Sequence, residues 1–168
     1  MSSIRTLFAT ALAALSLSAA GLKPGMPAPA FSAQDQNGRM VKLADFAGKS
    51  TVVLYFYPKD DTPGCTKEAC SLRDGFAAIK AKGAVVLGVS ADDVTSHAAF
   101  SEKYHLPFPI LADPGHAIID AYGVRMPVMG IAKRVTFIIG RDGVIREILS
   151  DVKAAEHDQQ VLRALASL

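Results

Sequence analysis

The chain lacks any marked excess of charge of one sign: 18 Lys and Arg stand against 16 Asp and Glu, a formal charge of +2 over 168 residues. It also lacks a basic run or a basic patch interleaved with aromatics, and this removes the usual electrostatic footprint of a nucleic-acid partner. Cysteine is scarce, with Cys65 and Cys70 the only two. Half the residues are hydrophobic, so a chain of this length fills a core without a disulfide scaffold. Long hydrophobic runs are missing as well. The Ala/Leu-rich stretch at residues 7–17 is too short to cross a bilayer as a helix, and no stable membrane association is expected. That stretch follows Arg5 and precedes Ser18-Ala19-Ala20, which reads as a secretory signal peptide cleaved near Ala20. A periplasmic or secreted protein is the expectation, and a cytoplasmic one if the segment is retained. No repeat and no low-complexity linker divides the remainder, so residues 21–168 read as one domain.

The pattern of elements is that of an α/β domain around a central mixed sheet. Residues 52–57 and 84–89 are apolar runs without alternation, as strands covered on both faces require. Asn37-Gly38 and Arg141-Asp142-Gly143 are hairpin-turn signals, and residues 134–139 and 144–149 read as strands. One helix is expected from Pro63 to about Lys80. A second, capped by Ser90 or Asp92, runs to about His105 with Phe100 and Tyr104 one turn apart. A third runs from Asp113-Pro114 to Tyr122, and a last one over residues 154–168 presents Val161, Leu162 and Leu165 on one face. Residues 110–111 form at most a short edge strand.

Both cysteines lie where the first long strand gives way to a helix. Pro63 suits the first helical position and Thr62 the N-cap, which puts Cys65 in the first turn. Unpaired N–H groups and the positive end of the helix dipole favour an anion there, and a thiolate is the anion available. Thr62 stands three residues before Cys65, so its hydroxyl is placed to hydrogen-bond the sulfur or an oxygen beside it, while Pro58 shields the site from water. A cation is also wanted; Lys59, Lys67, Arg73, Arg125 and Arg134 are all candidates. If both cysteines are on one helix, they are separated by about 7.5 Å of rise and about 140° around the axis. A disulfide needs Cα atoms within about 7 Å and converging Cβ vectors, so the helix must unwind for the bond to form. The histidines, His97, His105, His116 and His157, have no metal-ligand spacing and read as surface or structural.

Pro58-x-x-x-Thr62-x-x-Cys65 resembles the active-site motif of peroxiredoxins, and residues 55–70 resemble the peroxiredoxin Q branch, also called bacterioferritin comigratory proteins. The resemblance runs from about Leu22 to the C-terminus. It implies a thioredoxin-like fold and a thiol-dependent peroxidase, with Cys65 as peroxidatic nucleophile and Cys70 as resolving thiol. The family's Arg-x-Ser/Thr-Phe strand is matched by Arg134-Val135-Thr136-Phe137, which selects Arg134 as the cation. The implied partners are a peroxide substrate and a thioredoxin-like or other dithiol reductant, with no metal, flavin or haem cofactor and a monomeric state. Gly140 stands where the family often has an acidic residue. Two other readings of the cysteines remain: a thiol-disulfide oxidoreductase on the same fold, for which Cys-x-x-Cys would be the expected spacing, and a non-enzymatic metallochaperone.

Overall fold

The structure, a computed structural model, describes residues 21–168; the expected signal peptide lies outside the described residues. β3 (Thr51–Phe56) is buried at every position, as its unbroken β-branched and aromatic run requires. It lies at the centre of a five-stranded sheet. On one side β4 (Ala84–Ser90) pairs with it in parallel and carries β5 (Ile110–Ala112) on its outer edge. On the other side β6 (Val135–Ile139) pairs antiparallel and carries β7 (Ile145–Leu149). A separate hairpin joins β1 (Ser32–Gln34) to β2 (Met40–Lys42) through Asn37-Gly38, where Gly38 takes φ +74°.

Strand side chains alternate between faces, so β3 serves two cores. Val53, Tyr55 and Tyr57 pack with Leu72, Ile79, Phe100 and Val161. These come from α1 (Pro63–Asp74), α2 (Phe76–Ala81), α3 (Val94–Tyr104) and α5 (His157–Ala166). Val52, Leu54 and Phe56 face Ile118, Ile119 and Tyr122, with Phe31 from the hairpin side; the two isoleucines belong to α4 (Ala117–Ala121). Phe100 and Tyr104 meet edge to face at 5.3 Å. Among the described residues no helix is long and apolar enough to cross a membrane.

Several elements differ from the sequence expectation. The helix expected to reach Lys80 breaks at Gly75, where a Cβ would lie 2.5 Å from the Cβ of Asp158; close approach of α5 decides the break. α3 is capped by Asp93, whose carboxylate accepts from the Ser96 N–H, because Asp92 is engaged with Ser90 and the Asp60 backbone. α4 starts at Ala117 and not at Asp113-Pro114; Asp113 reaches over the intervening turn to accept from the Ile118 and Ile119 N–H groups. The last segment opens with a 3-10 turn at Ala154–Glu156. At Gly140 a Cβ would stand 2.8 Å from the Arg146 and Asp142 side chains, which gives glycine a local reason there.

Candidate active site

The register of β3 against β6 sets Phe56 opposite Val135. The chain leaving β3 and the residue entering β6, Arg134, are thereby neighbours although they lie far apart in sequence. The loop out of β3 is anchored on α3. The Asp60 carboxylate accepts from the Tyr57 hydroxyl at 2.6 Å and the Ser96 hydroxyl at 2.8 Å, and His97 Nδ1 lies 2.8 Å from it. His97 Nε2 lies 3.0 Å from the Leu111 carbonyl. Asp61, in the left-handed region at φ +56°, accepts from Lys103 Nζ at 2.8 Å and from the Tyr104 hydroxyl at 2.7 Å. The Lys103 hydrogen bond, helped by Tyr104, holds its carboxyl below the usual range. Ligand atoms of Asp60, Asp92 and His97 converge within 4.8 Å. His97 has both nitrogens and Asp60 both oxygens committed to hydrogen bonds, so the donor set fits a closed network and not a metal centre.

Thr62 is the backbone N-cap of α1, and Pro63 is its first helical residue. The first-turn N–H groups of Gly64 and Cys65 are therefore left without intrahelical partners. The Thr62 hydroxyl departs from the expectation: it donates to the Lys59 carbonyl at 2.9 Å and makes no cap or sulfur contact. Its lone pairs remain available as acceptors. Cys65 is 2 % exposed, and Arg134 Nη2 donates to its Sγ at 3.4 Å. Of the five candidate cations, Arg134 is the one hydrogen-bonded to this sulfur. Gly64 allows that approach, since a Cβ there would stand 3.0 Å from Arg134 Nη2. Pro58 is half-buried beside the buried Tyr57.

The sequence reading missed Glu68. Its side chain is fully buried and accepts from Arg134 Nη1 through Oε2, so one guanidinium spans Cys65 and Glu68. Burial pushes the Glu68 carboxyl up to about 7, with Arg134 opposing that rise. Burial works against the Arg134 charge, and Glu68 together with Cys65 outweighs it and raises its pKa. His157, also fully buried, is lowered by burial to about 4, so the ring is neutral near pH 7. Its Nε2 lies 2.8 Å from Thr136 Oγ1. The spacing of Cys65, Glu68, Ala69 and Leu72 was the available signal: these residues share one helical face, and all four are buried.

Cys70 is half-buried, and both thiols are free. It sits on α1 five residues beyond Cys65, as expected. The helical arrangement keeps the two apart while it assembles Cys65, Arg134 and Glu68.

This chain matches the AhpC/TSA family model over residues 24–148. It is 42% identical over 150 residues to the peroxiredoxin bcp of Coxiella burnetii, covering 86% of this chain and 99% of that protein. Against the chloroplastic peroxiredoxin Q of Suaeda salsa it is 42% identical over 151 residues, 89% of this chain and 70% of the relative. Among solved structures, the peroxidoxin BcpB of Mycobacterium tuberculosis superimposes with a TM-score of 0.82 at 32% identity, covering 88% of this chain and 98% of that one. The bacterioferritin comigratory protein of Xanthomonas campestris, described for its alkyl peroxide reduction activity, gives 0.76 at 33% identity over 82% and 90% of the two chains. The mixed sheet with helices on both faces is thus the thioredoxin-like fold of these proteins, and the chain belongs to the AhpC/TSA family, in its peroxiredoxin Q branch, as a thiol-dependent peroxidase.

Proposed function

We propose that Cys65 is the peroxidatic cysteine and Cys70 its resolving partner, and that the protein reduces hydrogen peroxide and organic hydroperoxides. The observation that carries this reading is the contact of Arg134 with a buried Cys65 sulfur in the first turn of a helix. The Cys65 thiolate attacks the terminal peroxide oxygen, the O–O bond breaks, and the leaving alkoxide or hydroxide takes up a proton to leave as alcohol or water. Arg134 and the first-turn N–H groups stabilise charge on the departing oxygen. The Thr62 hydroxyl, its own proton turned to Lys59, accepts a hydrogen bond from the incoming hydroperoxide, and Pro58 limits access of water. Cys70 then condenses with the Cys65 sulfenic acid and releases water. An external dithiol of thioredoxin type reduces the disulfide by exchange.

Residues 21–168 act as one peroxiredoxin unit and as a monomer, and residues 1–20 direct its export; the mass of the mature N-terminus tests the latter. The assignment of roles is tested by peroxide consumption. Cys65→Ser abolishes it, whereas Cys70→Ser consumes about one equivalent per Cys65 and then stalls unless a small thiol is added. Wild-type turnover by Cys65→Ser would overturn the reading, and undiminished cycling of Cys70→Ser with a protein dithiol would remove Cys70 as resolver.

A further inference from the structure

Glu68 lies between the two cysteines on α1, so the segment that must leave the helix for Cys70 to reach Cys65 carries a fully buried carboxyl with it. Three groups from outside α1 face that carboxyl. Arg134, just before β6, binds Oε2. Among the described residues Oε1 has no hydrogen-bond partner, and Nε2 of His157 on α5 is 3.7 Å away. From β3 comes Tyr55, a buried phenol whose hydroxyl is also unpartnered and whose pKa is raised by burial and then by the Glu68 charge.

The hydrogen bonds around His157 fix what its Nε2 presents. Nδ1 lies 3.3 Å from Gln160 Oε1, an acceptor, so Nδ1 carries the proton. Nε2 of the neutral ring is then itself an acceptor, and it receives the Thr136 hydroxyl. An acceptor facing an orphaned carboxylate oxygen is unfavourable, and protonation removes the charge that Oε1 otherwise carries in a dry site with no donor to meet it. Around Oε1 the folded helix thus favours the carboxylic acid, in the direction that burial drives it and against the pull of Arg134 on Oε2. Once α1 unwinds, that carboxyl reaches water.

We propose that Glu68 is a proton-coupled latch on the resolving step: unwinding of α1 draws it from its pocket and releases its proton, so resolution by Cys70 becomes easier as pH rises toward neutrality and is held back in acid. This rests on the assignment of Cys65 and Cys70 made above. The sign follows from linkage. The folded carboxyl titrates at about 7 and the solvated one near 4.5, so between these values the folded helix holds more protons and its unwinding becomes easier with pH. For unwinding as a pre-equilibrium, the Glu68 contribution raises the rate of disulfide formation about 40-fold between pH 5 and pH 7.

The test is quenched-flow mass spectrometry of the Cys65 sulfenic acid converting to the Cys65–Cys70 disulfide, from pH 5 to pH 8, in wild type and Glu68→Gln. Deprotonation of the attacking thiol affects both proteins alike, so the ratio of their rates isolates the carboxyl. That ratio is expected to rise by tens-fold from pH 5 to pH 7 on the same linkage; a ratio constant within about twofold overturns the latch. Amide exchange of α1 in reduced wild type gives an independent reading that stands even if the variant folds poorly. Its protection factors, corrected for intrinsic exchange, should fall from pH 5 to pH 7, and constant protection also overturns the proposal. Absence of a Cys65–Cys70 disulfide in wild type at every pH would instead remove the assignment of the cysteines, and the latch with it.

Discussion

Arg134→Met, made alone and together with Glu68→Gln, separates what the guanidinium does for the sulfur from what it does for the helix. Its Nη2 stands 3.4 Å from Cys65 Sγ, a separation at which a unit charge pair is worth about 1–5 kcal/mol for effective dielectric constants between that of water and about 20. Removal of one preorganised donor to a developing oxyanion slows comparable reactions by about 10²–10³-fold, and that is the loss expected in the first oxidation of Cys65. The same substitution strands Glu68 in a fully buried site. Breaking a buried ion pair from one side costs about 3–5 kcal/mol. The lower end applies here, because the Arg134 side chain is 23% exposed and Glu68 relieves the strain by taking up a proton. Denaturant unfolding should therefore show Arg134→Met destabilised by about 3 kcal/mol and the double variant recovering most of that. Stopped-flow oxidation by peroxide should show both equally slow. Recovery of the oxidation rate in the double variant would mean that Arg134 acts only by holding α1 together, and a wild-type rate in Arg134→Met would refute its role altogether.

Gly64→Ala adds a Cβ 3.0 Å from Arg134 Nη2 and pushes the guanidinium from the sulfur. It should slow oxidation of Cys65 while the melting temperature holds or rises, since alanine is favoured over glycine in a helix by about 1 kcal/mol. Gly75→Ala places a Cβ 2.5 Å from that of Asp158, and calorimetry should find a loss of about 1–3 kcal/mol as α5 is displaced. Glu68 and His157 should oppose one another in the pH dependence of global stability. The folded Glu68 carboxyl, raised to about 7, contributes stability that is full below about 4.5 and is lost as pH rises through 7. The folded His157, lowered to about 4, contributes stability present above about 6.5 and lost as pH falls toward 4. Between pH 5 and 6.5 the two slopes cancel in wild type. Glu68→Gln should then gain stability with pH and His157→Gln lose it, each by up to about 1.4 kcal/mol per pH unit; parallel slopes in the two variants would contradict the assignment.

The α/β architecture was legible because its strands are unambiguous: residues 52–57 and 84–89 carry too many β-branched and aromatic side chains, without alternation, to be anything but doubly covered. Hairpin turns at Asn37-Gly38 and Arg141-Asp142-Gly143 were readable from local backbone demands. Features settled by distant parts of the chain were not. The break at Gly75 depends on α5, which arrives more than eighty residues later; a lone glycine lowers helix propensity but does not by itself end a helix. Asp93 caps α3 because Asp92 is drawn away by the active-site loop, a choice that Ser90, Asp92 and Asp93 leave open in the sequence. At the site, the spacing of Pro58, Thr62, Pro63 and Cys65 carried the reading, and Arg134 followed from a strand motif, but the Thr62 hydroxyl turned to a carbonyl that only the folded loop supplies. A glutamate beside Lys67 reads as solvated unless helical phase is weighed above residue type. His97 likewise reads as a plain helix residue, and its burial follows from Asp60, thirty-seven positions earlier.

On this mechanism α1 has two uses, wound to place Cys65 on Arg134 and unwound to join Cys65 to Cys70. Mass spectrometry of the reduced protein before and after one equivalent of peroxide tests it most directly. The expected product is a single intramolecular bond between Cys65 and Cys70, formed by loss of two hydrogens and reversed by a dithiol. Accumulation of oxygen adducts on Cys65 with Cys70 still free, or a disulfide between two copies of the chain, would contradict it.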